Sequence, residues 1–102
     1  MQPQYRTMAD VRRANAANGF HFFDASTLRF FASRIGRTLY GGRYFITSEQ
    51  FISYSDPSYS GDRLYTVREV QPDGSIETVG EFQKYETNAQ ARAAIRKLLA
   101  TN

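Results

Sequence analysis

The stretch RLYTVREVQPDGSIETVGEFQKYETNAQARAAIRKLL, residues 63–99, decides the fold. It divides into strand, tight turn, strand and capped helix. Pro72 presets φ for the second position of a type I turn, and Gly74 supplies the left-handed residue that closes a bulged hairpin. The turn sets a register in which Val70 opposes Ile76, Arg68 opposes Thr78, Thr66 opposes Gly80 and Leu64 opposes Phe82. One face then holds Leu64, Val70, Ile76 and Phe82, with Arg68 as its single charge. The other holds Arg63, Tyr65, Val67, Glu69, Glu77, Val79 and Glu81. In the helix, Thr87 and Gln90 form a capping-box pattern, and Ala91, Ala94, Ile95 and Leu98 share one stripe. A helix of that kind is expected to cover the first face, burying Leu64, Ile76, Phe82, Ile95 and Leu98 together and leaving the second face open.

Upstream, Thr7 with Asp10 opens a helix, with Met8 and Val11 starting its apolar face, and Asn18-Gly19 closes it. Residues 1–6 read as a loose tail. Phe20-His21-Phe22-Phe23 reads as an extended aromatic connector pressed on the core. Asp24 then caps a second helix whose Leu28, Phe31, Ala32 and Ile35 share a face, with Gly36 as its stop. Phe30 falls off that stripe, which leaves it either against the first helix or exposed. Gly41-Gly42 signals a two-residue hairpin between strands at 37–40 and 43–47, and a short strand is expected at 51–54. The polar run from Ser55 to Asp62 reads as an irregular loop. The expected fold is therefore a single α+β domain: an antiparallel sheet of about four strands, two N-terminal helices and one C-terminal helix, the helices mainly on one face.

Composition narrows the function classes. A chain of 102 residues that is 41% hydrophobic and 15% aromatic is globular. It has no run of about 18 apolar residues, so no membrane span is expected. Absence of cysteine and of an apolar leader points to the cytoplasm. The net charge of +3 conceals an asymmetry: residues 1–50 carry 7 basic and 3 acidic side chains, residues 51–102 carry 6 and 7. Eleven of the 13 basic residues are arginine, which favours bidentate and stacked contacts.

Catalytic and metal chemistry find little support in the pattern, so no cofactor and no catalytic residue is expected. His21 is the only imidazole, and nothing local pairs it with Ser26 or Ser33. Gly41-Gly42 lacks the Lys-Ser/Thr of a phosphate-binding loop. Glu69 and Glu77 oppose each other on an exposed face, where nothing desolvates them enough to divide their pKa values. A non-catalytic binding protein is what remains. Its expected protein-contact residues are Tyr65, Val67, Val79, Glu69, Glu77 and Tyr59, an apolar centre with a charged rim, with Tyr5 of the tail as a further aromatic. The rival class is a small DNA- or RNA-binding module using Arg12, Arg13, Arg29, Arg34, Arg37 and Arg43. One contiguous arginine face would favour nucleic acid; scatter would favour a protein partner.

Two resemblances extend this reading. Residues 65–95 resemble the AP2-like arm-binding module of phage integrases, which lays an open sheet face in the DNA major groove. Here Glu69, Glu77 and Glu81 stand on the corresponding face, where like charge opposes phosphate binding. Met8–Asn15, His21–Arg34, Leu39–Glu49 and Tyr65–Gln83 together are similar to a family of small uncharacterised proteins carried by bacteriophages and plasmids. That resemblance implies a mobile-element accessory protein in the cytoplasm of a bacterial host. It would bind a host protein, in the manner of anti-CRISPR and other anti-defence inhibitors.

Overall fold

The computed structural model describes residues 5–52, 55, 56, 58 and 61–101. Helix α1 (Met8–Ala17) and the short α2 (Ala25–Phe30) lead into strands β1 (Arg34–Ile35), β2 (Tyr44–Glu49), β3 (Leu64–Val70) and β4 (Ile76–Thr78), and α3 (Asn88–Ala100) closes the chain. The strands form one antiparallel sheet in the order β1-β2-β3-β4. The α+β class, the four-stranded antiparallel sheet and the two-plus-one helix arrangement are as the sequence leads one to expect.

Both long helices start as their caps dictate. Thr7 Oγ1 accepts the Asp10 N–H at 3.2 Å, and Thr87 Oγ1 accepts the Gln90 N–H at the same distance. Each satisfies a backbone donor that the first helical turn leaves orphaned. The second helix is shorter than its apolar spacing suggests. Ala32 turns left-handed at φ +49°, Ser33 N–H donates to Leu28 O, and Ala32 N–H donates to Arg29 O. This is a Schellman stop with alanine in the usual glycine place, and it releases Arg34-Ile35 to pair with Thr47 and Ser48. The Phe20–Phe23 connector is a turn, closed by Asp24 N–H on His21 O. Gly41-Gly42, both at positive φ, join Tyr40 and Tyr44 through a single bridge instead of a full hairpin. The sheet is completed there by residues 34–35. Of the strand expected at 51–54, residues 53 and 54 lie outside the described residues.

The β3–β4 hairpin keeps its expected register at the turn: Val70 faces Ile76, and Arg68 faces Thr78. Beyond Val79 the register changes. Gly80 and Gln83 take positive φ, the segment loops outward, and Tyr65 meets Tyr85 instead of Glu81. Thr66 and Leu64 therefore do not oppose Gly80 and Phe82, and Phe82 is 47% exposed instead of buried.

The larger correction concerns which face is covered. Adding β2 brings Tyr44 and Ile46 beside Val67 and Tyr65, making that side the richer apolar surface. The α3 stripe of Ala91, Ala94, Ile95 and Leu98 packs there. The opposite side gathers Phe45, Val70 and Ile76 under Met8 and Val11 of α1 and under Phe22 and Phe23. Helices thus cover both faces, and β2 is buried at every position. Ile76 and Ile95 stand on opposite sides of the sheet instead of in one cluster.

The hairpin turn is clamped onto α1. Asn15, fully buried, donates through Nδ2 to Gly74 O at 2.9 Å, and Asn18 Nδ2 donates to Asp73 O at 2.8 Å. Tyr5 reaches the same turn, donating to Pro72 O at 3.0 Å, so at least this part of the expected tail is docked. A Cβ at Gly74 would lie 2.8 Å from the Ala14 carbonyl carbon, with φ already at +86°. Gly74→Ala is therefore expected to cost about 2–3 kcal/mol, from left-handed strain plus helix displacement. Gly19→Ala shares the strain, at φ +81°, but has nothing within 4 Å, and should cost ~1 kcal/mol. Denaturant titration of the two variants measures the difference. Bonds from Ser75 hold the Asp73 carboxyl below its usual value. A depressed carboxyl stabilises the fold above its unfolded pKa, so this small contribution is lost as pH falls through the folded one.

Candidate functional site

On the α1 side of the sheet, β2 and β3 place an uncommon pair of charges in the interior. Alternation along the strands points Phe45, Thr47 and Glu49 to this side, facing Arg68, Thr66 and Leu64 across the ladder. Glu49 is 2% exposed. Its Oε1 accepts Thr66 Oγ1–H at 2.8 Å and Arg68 Nη2–H at 3.4 Å, while Oε2 has no partner among the described residues. Arg68 donates twice more: through Nε to Thr47 Oγ1 at 3.0 Å, and through Nη1 to Thr78 Oγ1 at 2.6 Å. Its guanidinium lies between two rings, 5.2 Å from the centroid of Phe22 and 5.3 Å from that of Phe82. Burial pulls its pKa down from the usual arginine value, and the Glu49 carboxylate opposes that pull.

A pocket of about 210 Å³ opens beside this pair. Leu28 and Phe31 wall it from α2 and its stop, Phe22 and Phe82 from the two loops, and Thr47, Glu49 and Arg68 supply polar floor. Outside, Phe30 and Phe31 meet edge to face at 4.6 Å, and Phe31 and Phe82 at 6.2 Å. Phe30 and Phe82 are each about half exposed. Phe51 follows at the end of β2, where Gln50 N–H donates to Phe31 O. It too is half exposed.

The backbone around the pocket is strained. Ala32 and Gln83 are the non-glycine residues at positive φ among the described residues, and each directly follows a pocket phenylalanine, Phe31 or Phe82. Both are pinned, one from the residue before β3 and one from within it. Arg63 Nη2 donates to Ala32 O at 2.9 Å, and Gln83 N–H donates to Thr66 Oγ1 at 2.8 Å. Left-handed alanine and glutamine persist only where their surroundings over-determine them. Here that constraint fixes the two rings.

The residues singled out from sequence fall elsewhere. Val67 is 1% exposed, and Tyr65 and Val79 pack in the α3 core, so the expected open face is closed. Glu69 does not stand against Glu77 unrelieved: Arg43 donates to its Oε2 through Nε at 3.1 Å and Nη2 at 2.5 Å, while stacking 5.0 Å from the Tyr44 ring. Glu77 is exposed, and Tyr59 lies outside the described residues. Val79 also lines an open groove of about 720 Å³ with Tyr85, Ala94 and Leu98, rimmed by Lys84 and Lys97.

The six arginines of the nucleic-acid reading divide between the two sides of the sheet. Arg12, stacked 5.3 Å from Phe23, and Arg13, paired with Asp10, are on α1; Arg29 is on α2. Arg34 and Arg37 lie with Ile46 and Asn88 on the α3 side, where Arg43 is bound to Glu69. Sequence reasoning noticed Arg68 as the lone charge on a core face but not its partner. The missing signal is strand parity: Glu49 shares a face with Phe45, and that face meets the one holding Arg68. His21 is exposed beside Asp24, and no group of three or more potential metal ligands occurs among the described residues.

Residues 7–96 match the model of a family of unknown function, DUF7447. No match was found among curated proteins or among solved structures.

Proposed function

The chain belongs to the DUF7447 family, whose function is unknown, and on that premise we propose that it works by stoichiometric, non-catalytic binding of a protein partner. The docking surface is the patch of Phe30, Phe31 and Phe82 around the Arg68–Glu49 pocket. One observation carries the reading. Three phenylalanines stand in successive ring contact, two of them half exposed, beside a pocket that holds the buried Glu49 and its partly buried partner Arg68. Exposed aromatic clusters on small domains mark interaction sites, and aromatic side chains are the usual anchors of protein interfaces. Division of the arginines between two sides supports a protein partner over a nucleic acid, which calls for one basic face. In the setting that the resemblance to phage and plasmid proteins implies, the partner is a host protein and the outcome of binding is its inhibition.

The test is capture from bacterial lysate on immobilised wild-type chain and on a Phe30→Ser/Phe82→Ser variant, each with and without nuclease. Because both side chains are half exposed, each substitution should cost the fold little, on the order of 0.5–1 kcal/mol. The expected result is one protein retained by wild type in stoichiometric, nuclease-resistant amount and lost from the variant. Retention that nuclease abolishes would favour the DNA- or RNA-binding alternative. Equal retention by both chains would contradict the patch.

A further inference from the structure

We propose that the pocket beside Glu49 is a cation site, which takes the ammonium or guanidinium head of a lysine or arginine side chain from the partner. This deepens the binding reading above and rests on it for the source of that side chain. Glu49 Oε2 is buried and has no hydrogen-bond partner among the described residues. A carboxylate offers about four acceptor positions, and an unmade bond to a buried charge is costly. Arg68 does not supply the missing donor: its bonds go to Thr47, Thr78 and Glu49 Oε1, and none goes to Oε2. The Thr66 hydroxyl is committed to Oε1 as well. Among the described residues, then, Oε2 lacks an N–H or O–H donor, which a ligand in the pocket would supply.

The lining specifies the rest of the ligand. Phe22, Leu28, Phe31 and Phe82 offer apolar surface to an alkyl stem, and aromatic faces attract a cation electrostatically. The cavity, at about 210 Å³, has room for one long side chain. An anion would meet the Glu49 carboxylate, and three of the five Arg68 N–H groups are already bonded. A cation instead completes a carboxylate shared between two positive groups, one from each side. Entry passes Phe82, whose loop projects from the sheet between Val79 and Tyr85.

The experiment needs no partner. The full chain, labelled for NMR, is titrated with n-butylammonium, n-butanol and butyrate, three probes of similar length that differ in head-group charge. Butylammonium should produce saturable shifts at the amides of Leu28, Thr66 and Gln83. Butanol should bind roughly tenfold more weakly, since its neutral hydroxyl forgoes the Coulomb attraction between an ammonium and the Glu49 carboxylate. Butyrate should leave these amides unmoved. In Glu49→Gln the preference for the ammonium over the alcohol should vanish; if that variant does not fold, the three probes on wild type decide. The proposal is overturned if butanol binds as well as butylammonium, if butyrate binds better, or if butylammonium shifts no pocket amide beyond the general surface. Such a failure leaves the aromatic patch untouched, because capture of a partner by Phe30 and Phe82 is read separately. Equally, loss of the patch reading would leave a measured cation site standing.

Discussion

Phe45→Ala is expected to cost ~3–5 kcal/mol, enough to leave the domain largely unfolded if its reserve lies near the low end of ~5–15 kcal/mol. Phe45 has no exposed surface, and Phe22 and Phe23 both pack against it at 6.1 Å between ring centroids. Met8 and Val11 complete its surroundings from α1. Truncation would therefore empty the point where the first helix, the aromatic turn and β2 meet. Phe82→Ala makes the contrast. In the hairpin register expected from sequence it would be a core deletion of similar size, but its ring is half exposed and lies against Arg68 and Phe31. It should cost ~1 kcal/mol. Chemical denaturation of the two variants side by side distinguishes the structures: similar losses would mean that Phe82 is core after all.

Arg68→Ala is the second large effect, also ~3–5 kcal/mol, and its cause is different. Removing the guanidinium leaves Glu49 buried with only the Thr66 hydroxyl, an uncompensated charge in the interior. Replacing both partners, Glu49→Leu with Arg68→Met, removes the desolvation penalty on each side and should restore wild-type stability or exceed it by ~1–3 kcal/mol. The comparison separates two roles. If the double variant is as stable as wild type, the pair is not there to hold the fold, and its presence beside the pocket calls for a binding role. A double variant as unstable as the single one would instead make the pair structural. Unfolding curves at neutral pH suffice, since the other ionic contacts of the sheet, such as Arg43–Glu69, are untouched.

The elements legible in sequence are those whose signals are local. Thr7 and Thr87 announce their helices by side-chain capping, and Pro72-Asp73-Gly74 announces its turn, so these boundaries follow from a few neighbouring residues. Assignment of the sheet faces could not follow from the hairpin alone. Tyr65, Val67 and Val79 look like an open face until Tyr44 and Ile46 arrive from β2, more than fifteen residues upstream of β3. The excursion at Gly80–Gln83 was hidden for a related reason: alternation continues through Phe82 in sequence, while Tyr85 takes the partner that Glu81 would have had. The pocket inherits both difficulties. Its phenylalanines come from α2, from the aromatic turn and from that excursion, and only the folded sheet brings them around Arg68 and Glu49.

The central claim is that a protein partner docks on the Phe30–Phe31–Phe82 patch, and site-specific photo-crosslinking tests it most directly. A photoreactive phenylalanine analogue placed at position 30 keeps the ring and its exposure; the same analogue at Arg92, exposed on α3, serves as the control. Irradiated in bacterial cells, the chain labelled at position 30 is predicted to form one discrete, heavier protein adduct that the chain labelled at position 92 does not form. No adduct from position 30, or the same adducts from both positions, would contradict the account.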